Sequence, residues 1–419
     1  MDISFGFDDF ATELTSLEVK KARKFERVWK ITEGGSSAGS IINNGIAFIF
    51  ACDRNVYAFD IEKREIIWRF MSGGINLSNG VVSNGVLYFG SYDSYVYAID
   101  IKDGSELWRF KTGDKILSIP NILDNMLFIG SKDGHLYAID ASNGSELWRY
   151  YAGDAVNSSP TIYENMVIFG SSTGFLYFLD LNGNELWRFK TGDEIYNDSG
   201  YFTVKDGVVY FGSYDDYLYA VNIYKRKELW RFSTGKYGNA ATPLIYNNIL
   251  YYGSRDGTLY AITLEGKELW RFTTGGGILL RKPTIYEGKL YFGSEDTNVY
   301  CLDTNGNELW RFKCDSGVFD SIKIFRETLC FSSWNGKFYR LTMDGRKIWQ
   351  HAITSGKPAY LPPAYEEWET EIKTEGGEEY EESKEDKYSR SLAMQEFDSY
   401  KAKSEYTMKS EYASKSEYK

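Results

Sequence analysis

Residues 119–150 read IPNILDNMLFIGSKDGHLYAIDASNGSELWRY, and this stretch decides the fold. IPNIL (119–123) is a short apolar run and MLFIG (126–130) a second one. SKDG (131–134) supplies the Asp and Gly of a tight hairpin. HLYAID (135–140) reads as a third strand with alternating side chains, ASNG (141–144) turns the chain again, and ELWRY (146–150) is a fourth strand. Four short antiparallel strands in succession make one propeller blade.

The same words return along the chain. ELWRF surrounds Trp108, Trp187, Trp230, Trp270 and Trp310. Hairpin and third strand recur as GSYDSYVYAID (90–100), GSSTGFLYFLD (170–180), GSYDDYLYAVN (212–222), GSRDGTLYAIT (253–263) and GSEDTNVYCLD (293–303). Trp29, Trp68, Trp108, Trp148, Trp187, Trp230, Trp270, Trp310 and Trp349 are spaced by 39, 40, 40, 39, 43, 40, 40 and 39 residues. A single blade cannot bury both of its faces, so each repeat must supply cover for the next. The expected fold is all-β, an eight-bladed propeller of four-stranded antiparallel blades. The tryptophans from Trp68 to Trp349 are read as structural wedges between blades. The recurring Asp53, Asp93, Asp133, Asp215, Asp256 and Asp296 are read as turn residues.

The block SSPTIYENMVIFGSSTGFLYFLDLNGNELWRF (158–189) resembles the repeat of the pyrroloquinoline-quinone (PQQ) enzyme type. The resemblance covers about residues 30–350 and implies an eight-bladed ring in which the outer-strand Trp docks on the neighbouring blade. In the quinoprotein dehydrogenases of that type, a cofactor lies over the channel with a calcium ion, a catalytic Asp and usually a disulfide between adjacent cysteines. Here Cys52, Cys301, Cys314 and Cys330 include no adjacent pair, and long inserted loops are missing. The resemblance is therefore to a non-enzymatic branch, with no cofactor expected.

Composition narrows the classes further. Of the formal charge of −11, residues 364–419 carry −7 through 16 acidic and 9 basic residues, which argues against a phosphate-neutralising grip on nucleic acid. Two histidines, His135 and His351, and no CxxC spacing leave no zinc site, and no metal is expected. MDISFGFDDF lacks the basic start and apolar core of a secretory signal, and no apolar run is long enough for a membrane helix. A cytoplasmic, monomeric propeller without a membrane partner is the expectation. No nucleophile elbow, P-loop or metalloprotease motif stands in a fitting context.

Three regions are expected: an N-terminal segment (1–28), the propeller (29–357) and a linker with a disordered Glu/Lys/Ser/Tyr-rich tail (358–419). Phe10, Leu14 and Leu17 have helical spacing in the first, and KSEY recurs from Lys403, Lys409 and Lys415 in the last. The sequence leaves open whether RVWKI around Trp29 or KIWQH around Trp349 closes the last blade.

Function is sought where the repeat varies. The hairpin between second and third strands and the loop leading into the inner strand share one face of a blade. Those loops carry Tyr92, Tyr95, Phe175, Tyr196, Tyr214, Tyr217, Tyr237 and Trp334, a candidate interaction face for a protein or peptide partner. Asp198, Arg281, Lys282 and Asp320 fall at successive lead-in positions and are candidates for the channel mouth. The fifth lead-in loop, TGDEIYNDSGYF (191–202), is longer than the others and offers Asp193, Glu194, Tyr196, Asn197 and Asp198, carboxylates and an amide able to take a cation. The expected function is a non-enzymatic interaction scaffold. The alternative is a small-ligand or cation binder, or a quinone-dependent oxidoreductase, at the central channel.

Overall fold

A computed structural model describes residues 37–197, 200–235, 238–239, 241–276 and 281–354, with the backbone of 22–28 and 364–370. The chain divides into two compact units, residues 29–363 and residues 1–28 with 364–419.

The larger unit holds eight four-stranded antiparallel sheets, each made of four consecutive strands. Blade 3 shows the pattern: inner strand Asn121–Leu123, second strand Met126–Gly130, third strand His135–Asp140 and outer strand Glu146–Tyr151. Blades 1 to 8 span 37–71, 81–111, 121–151, 161–190, 203–233, 244–273, 284–313 and 323–352. The described residues contain no helix, hence none able to cross a membrane.

Sequence and structure differ at the third strand. Leu136, Tyr137, Ala138 and Ile139 are all buried, so burial there is continuous rather than alternating. The reason is the neighbour on each side: an interior blade is covered on both faces, and both sets of side chains leave water. Eight apolar clusters follow, one per seam, such as Tyr88, Ile116, Leu127 and Tyr137 between blades 2 and 3. Each large apolar side chain so buried contributes about 1.5–3 kcal/mol.

The outer-strand tryptophans tie six seams in one way. Trp108 Nε1 donates to the Ala141 carbonyl of the next blade at 3.0 Å. Its indole lies on the peptide of Gly144, whose φ is +76° and where a Cβ would come within 2.7 Å of the ring. Only glycine satisfies both demands cheaply. Trp68, Trp148, Trp230, Trp270 and Trp310 make the same bond to Ile101, Leu181, Leu264, Thr304 and Met343.

The last blade is completed by Lys347–Ala352, the KIWQH strand. The segment before Trp29 does not join it: Ala22–Val28 pairs antiparallel with Ala364–Thr370, from Ala22 opposite Thr370 to Val28 opposite Ala364. The strand Ala364–Thr370 lies near the start of the region read as linker and tail. Tyr365, Trp368 and Thr370 give this short segment the β preference that the tail lacks on average. The expected helix at 10–17 and the KSEY repeats lie outside the described residues.

Candidate functional site

On one face of the ring, lead-in loops are bonded to the second–third hairpin of their own blade. Gly73 N and the Tyr97 hydroxyl both donate to Asp93 Oδ2 at 2.6 Å, and Tyr95 N donates to Oδ1 at 3.0 Å. Asp133, Asp215 and Asp296 repeat the arrangement with Gly113, Gly192 and Gly275. The repeated Asp thus fixes loop to hairpin, and its carboxylate is filled by that task. His135 sits in the same turn, its Nδ1 3.2 Å from Asp133 Oδ1.

With the loops so held, the variable positions fall into three groups. Tyr95, Phe175 and Tyr217, half-buried, begin third strands and lie under cations of their own outer strands: Arg109 at 5.5 Å, Arg188 at 4.8 Å and Arg231 at 5.6 Å from the ring centroids. Tyr92 and Trp334 join Cys52, Ile75, Leu77 and Phe319 in an apolar cluster. Trp334 was expected to be exposed but is only 9% exposed, because Phe319 of its own lead-in loop packs on it with centroids 4.7 Å apart. The third group is Tyr196, stacked on Tyr214 at 5.5 Å, with Arg255 over the Tyr214 ring at 5.7 Å. Tyr237 lies outside the described residues.

The channel-mouth residues have more structural work than expected. Asp320 is buried, and its carboxylate accepts from Ser40 N at 3.2 Å, Ser40 Oγ at 2.6 Å, Ser332 N at 3.1 Å and Ser332 Oγ at 2.9 Å, besides pairing with Lys323. Burial pushes its pKa up, but Lys323 and Arg281 outweigh that and hold it below the ordinary value. Lys323 is pulled down to about 8, mainly by desolvation against the attraction of Asp320. Asp320 therefore joins blade 8 to blade 1. Arg281 is also buried and reaches past blade 8: the position a Gly39 Cβ would take is 3.1 Å from Arg281 Nη2 and 2.2 Å from Asn79 Oδ1. On the other side Tyr201 of blade 5 reaches the Pro120 carbonyl of blade 3 at 2.7 Å. Lys282 stays exposed, its pKa lowered by the protein mass around it. Asp198 lies outside the described residues.

The long fifth loop spends its extra length on bracing. Twelve residues, 191–202, separate its flanking strands, against nine, 152–160, before blade 4. The Asn197 carbonyl accepts from Ser159 N at 2.7 Å, and its Oδ1 accepts from Thr242 Oγ1 at 3.2 Å, linking blades 4, 5 and 6. Glu194 is different. Its Oε2 accepts from Ser172 Oγ at 3.0 Å, and Asn157 Nδ2 lies 3.5 Å from that same hydroxyl. Burial, then Asp193 and Asp154, raise the Glu194 pKa to about 7 against the opposing pull of Ser172 and Lys132. Asn157 and Ser172 belong to the preceding repeat unit and carry no motif, so only the fold could bring them beside Glu194. Among the described residues no group of three or more His, Cys, Asp or Glu is placed to hold a metal ion.

Consecutive four-stranded blades, a Trp at each seam and loops tied by a repeated Asp define the class: an eight-bladed β-propeller of PQQ-like repeats. Residues 52–264 and 255–363 match the family model described as outer membrane protein assembly factor BamB, and the chain belongs to this family. No curated protein matches it. Among solved structures it is similar to the computationally designed Ika8 protein, at 16% identity and TM-score 0.65, covering 75% of this chain and 98% of that one. It is also similar to BamB from Moraxella catarrhalis, at 17% identity and TM-score 0.60, covering 77% of this chain and 98% of that one. At such identities the likeness is one of fold.

Proposed function

We propose that this protein is a non-enzymatic scaffold that binds a protein or peptide partner across the loop face of its propeller. The observation that carries the reading is the cluster of Cys52, Ile75 and Trp334 with Leu77, Tyr92 and Phe319. The other eight clusters each fill a seam between blades, whereas this one gathers lead-in and hairpin residues of blades 8, 1 and 2. Half-exposed Leu77, Tyr92 and Phe319 around a buried Trp form the kind of anchor on which partner binding concentrates. A role in assembly, as the matched family's description names, is one form such binding takes. A monomeric, cytoplasmic protein belongs to the same reading.

Affinity capture from native extract tests it. The double variant Tyr92→Ala, Phe319→Ala should lose the proteins enriched by the native chain. A double variant in turns of the opposite face, Lys102→Ala with Asn143→Ala, should keep them. Identical sets on all three would remove the basis for the reading.

A further inference from the structure

The outer strand of each blade is the free edge of its sheet. In blade 1 that strand is Glu65–Met71, and no described strand pairs with its outer side. Ser72 N donates inward to the Arg54 carbonyl at 2.9 Å. Bonding alternates along an antiparallel strand, so Arg69 and Met71 turn their N–H and C=O groups away from the sheet. Such an edge is a template for another strand unless charges guard it.

Blades 2, 4 and 7 carry that guard. Their outer strands read ELWRFK, with Glu at one end, Lys at the other and a single exposed large apolar side chain, a Leu. Blade 1 reads EIIWRFM, so that Ile66 replaces the Glu beside the Leu slot and Met71 replaces the Lys. Ile66, Ile67 and Met71 are 41%, 46% and 66% exposed. The exchange also alters the charge. In blades 2 to 7 the Arg of the strand pairs with a Glu three residues before it, as Arg109 does with Glu106 at 3.0 Å and Arg311 with Glu308 at 2.6 Å. Three residues before Arg69 stands Ile66, while Glu65 is turned to Lys63 at 3.8 Å. Arg69 is exposed and makes no ion pair with a described residue.

We propose that the outer edge of blade 1 receives a β-strand of a partner protein, whose main chain pairs with Arg69 and Met71. Residues two apart share one face of a strand, so the partner strand sets a carboxylate against Arg69 and an apolar side chain against Met71. The unmatched Arg69 selects an acidic strand over a purely apolar one. This surface stands independently of the loop-face reading.

The test uses the full chain and two synthetic strands: acetyl-Thr-Val-Thr-Glu-Thr-Val-Thr-amide and its counterpart with Lys in place of Glu. Amide hydrogen exchange should show saturable binding of the first, with slowed exchange at the N–H groups of Arg69 and Met71 and no change at Arg109 and Lys111 of blade 2. The Lys strand should bind at least about tenfold more weakly. Met71→Lys, which restores the residue blade 2 carries, should weaken the Glu strand about tenfold, and its unchanged melting temperature would report an intact fold. Arg69→Gln should abolish the preference between the two strands. Absence of binding, equal affinity of the two strands for the native chain, protection at Arg109 matching that at Arg69, or an unaffected Met71→Lys variant would each overturn the proposal. So would a native dimer in sedimentation that Met71→Lys converts to a monomer, since a second copy would then hold the edge.

Discussion

Six seams of the ring and the remaining two solve the same packing problem differently. At a regular seam the outer-strand Trp faces a small residue across its own sheet, Ala138 opposite Trp148 in blade 3, and docks on a glycine turn of the next blade. At the 4/5 and 8/1 seams the small residue becomes Phe178 or Arg340, and the glycine turn becomes Tyr224-Lys225-Arg226 or Glu62-Lys63-Arg64. Trp187 accordingly lies flat on Phe178, 3.9 Å between centroids and 6° apart, while Trp349 sits beneath Arg64 at 5.5 Å. The lost docking is replaced by side chains that reach back to the previous blade: Tyr224 to Glu164 at 2.6 Å, and Glu62 to Arg326 at 3.3 Å and Arg340 at 3.2 Å. Substitution at one slot forces substitution at the other, because a large residue behind the indole displaces it from the glycine. The seam is the unit that varies, not the residue.

The sharpest way to break this distinction is to remove the indoles. Trp108→Ala should cost about 3–5 kcal/mol in urea unfolding. Trp187→Ala should cost about 1 kcal/mol less, since Trp187 has no carbonyl of the next blade to lose. Equal losses would show that the docking bond contributes nothing. Next comes the closure: Asp320→Ala strands Lys323 in the interior and should cost about 3 kcal/mol. The equivalent Ser158→Ala, which removes only a hydroxyl bonded to Gly170, should cost about 1 kcal/mol.

Glu194 sharpens the comparison through pH. Its folded pKa, raised to about 7, lies above the ordinary value, so the folded chain holds an extra proton between pH 4.5 and 7. The stability linked to that proton is complete below pH 4.5 and lost as pH rises through 7. Glu194→Gln, neutral throughout, should match the native chain at pH 4.5 and exceed it by about 1–2 kcal/mol at pH 8, allowing for partial solvation. A variant with no pH-dependent advantage would show the carboxylate to be unstrained. The smallest effect is expected from Arg226→Gly, which relieves a residue at φ +52° and should gain at most about 1 kcal/mol. Gly144→Ala, at a regular seam, should lose more than that.

Much of this could be read directly. Every strand from the inner to the outer edge of blade 3 is legible in residues 119–150, because turn residues punctuate short apolar runs at each strand end. The seam exceptions were present too, as Phe178 and Arg340 in a slot otherwise held by small residues. Ring closure was not legible, because RVWKI and KIWQH share the same pattern and only pairing distinguishes them. Nor were Trp334 and Asp320, whose burial depends on which neighbour packs on them after the ring curves. The Asn157–Ser172–Glu194 group was half visible. Glu194 lies in the longest loop, but its partners are set by the stacking of one repeat on the next.

The two Lys-Arg seams stand four blades apart. They cut the circle into arcs of blades 1–4 and 5–8, each joined internally by three identical tryptophan docks. Within an arc, contacts link neighbouring repeats and close short loops, so each arc can form as a local, zipper-like unit. The seam between blades 8 and 1 joins residues as far apart as Ser40 and Asp320, which makes it the slow, entropically expensive step. Its charged groups then act as a register mark. A misaligned meeting of the arcs would bury Asp320 without the N–H and hydroxyl of Ser40, and the ring shuts well only when that residue of blade 1 is in place.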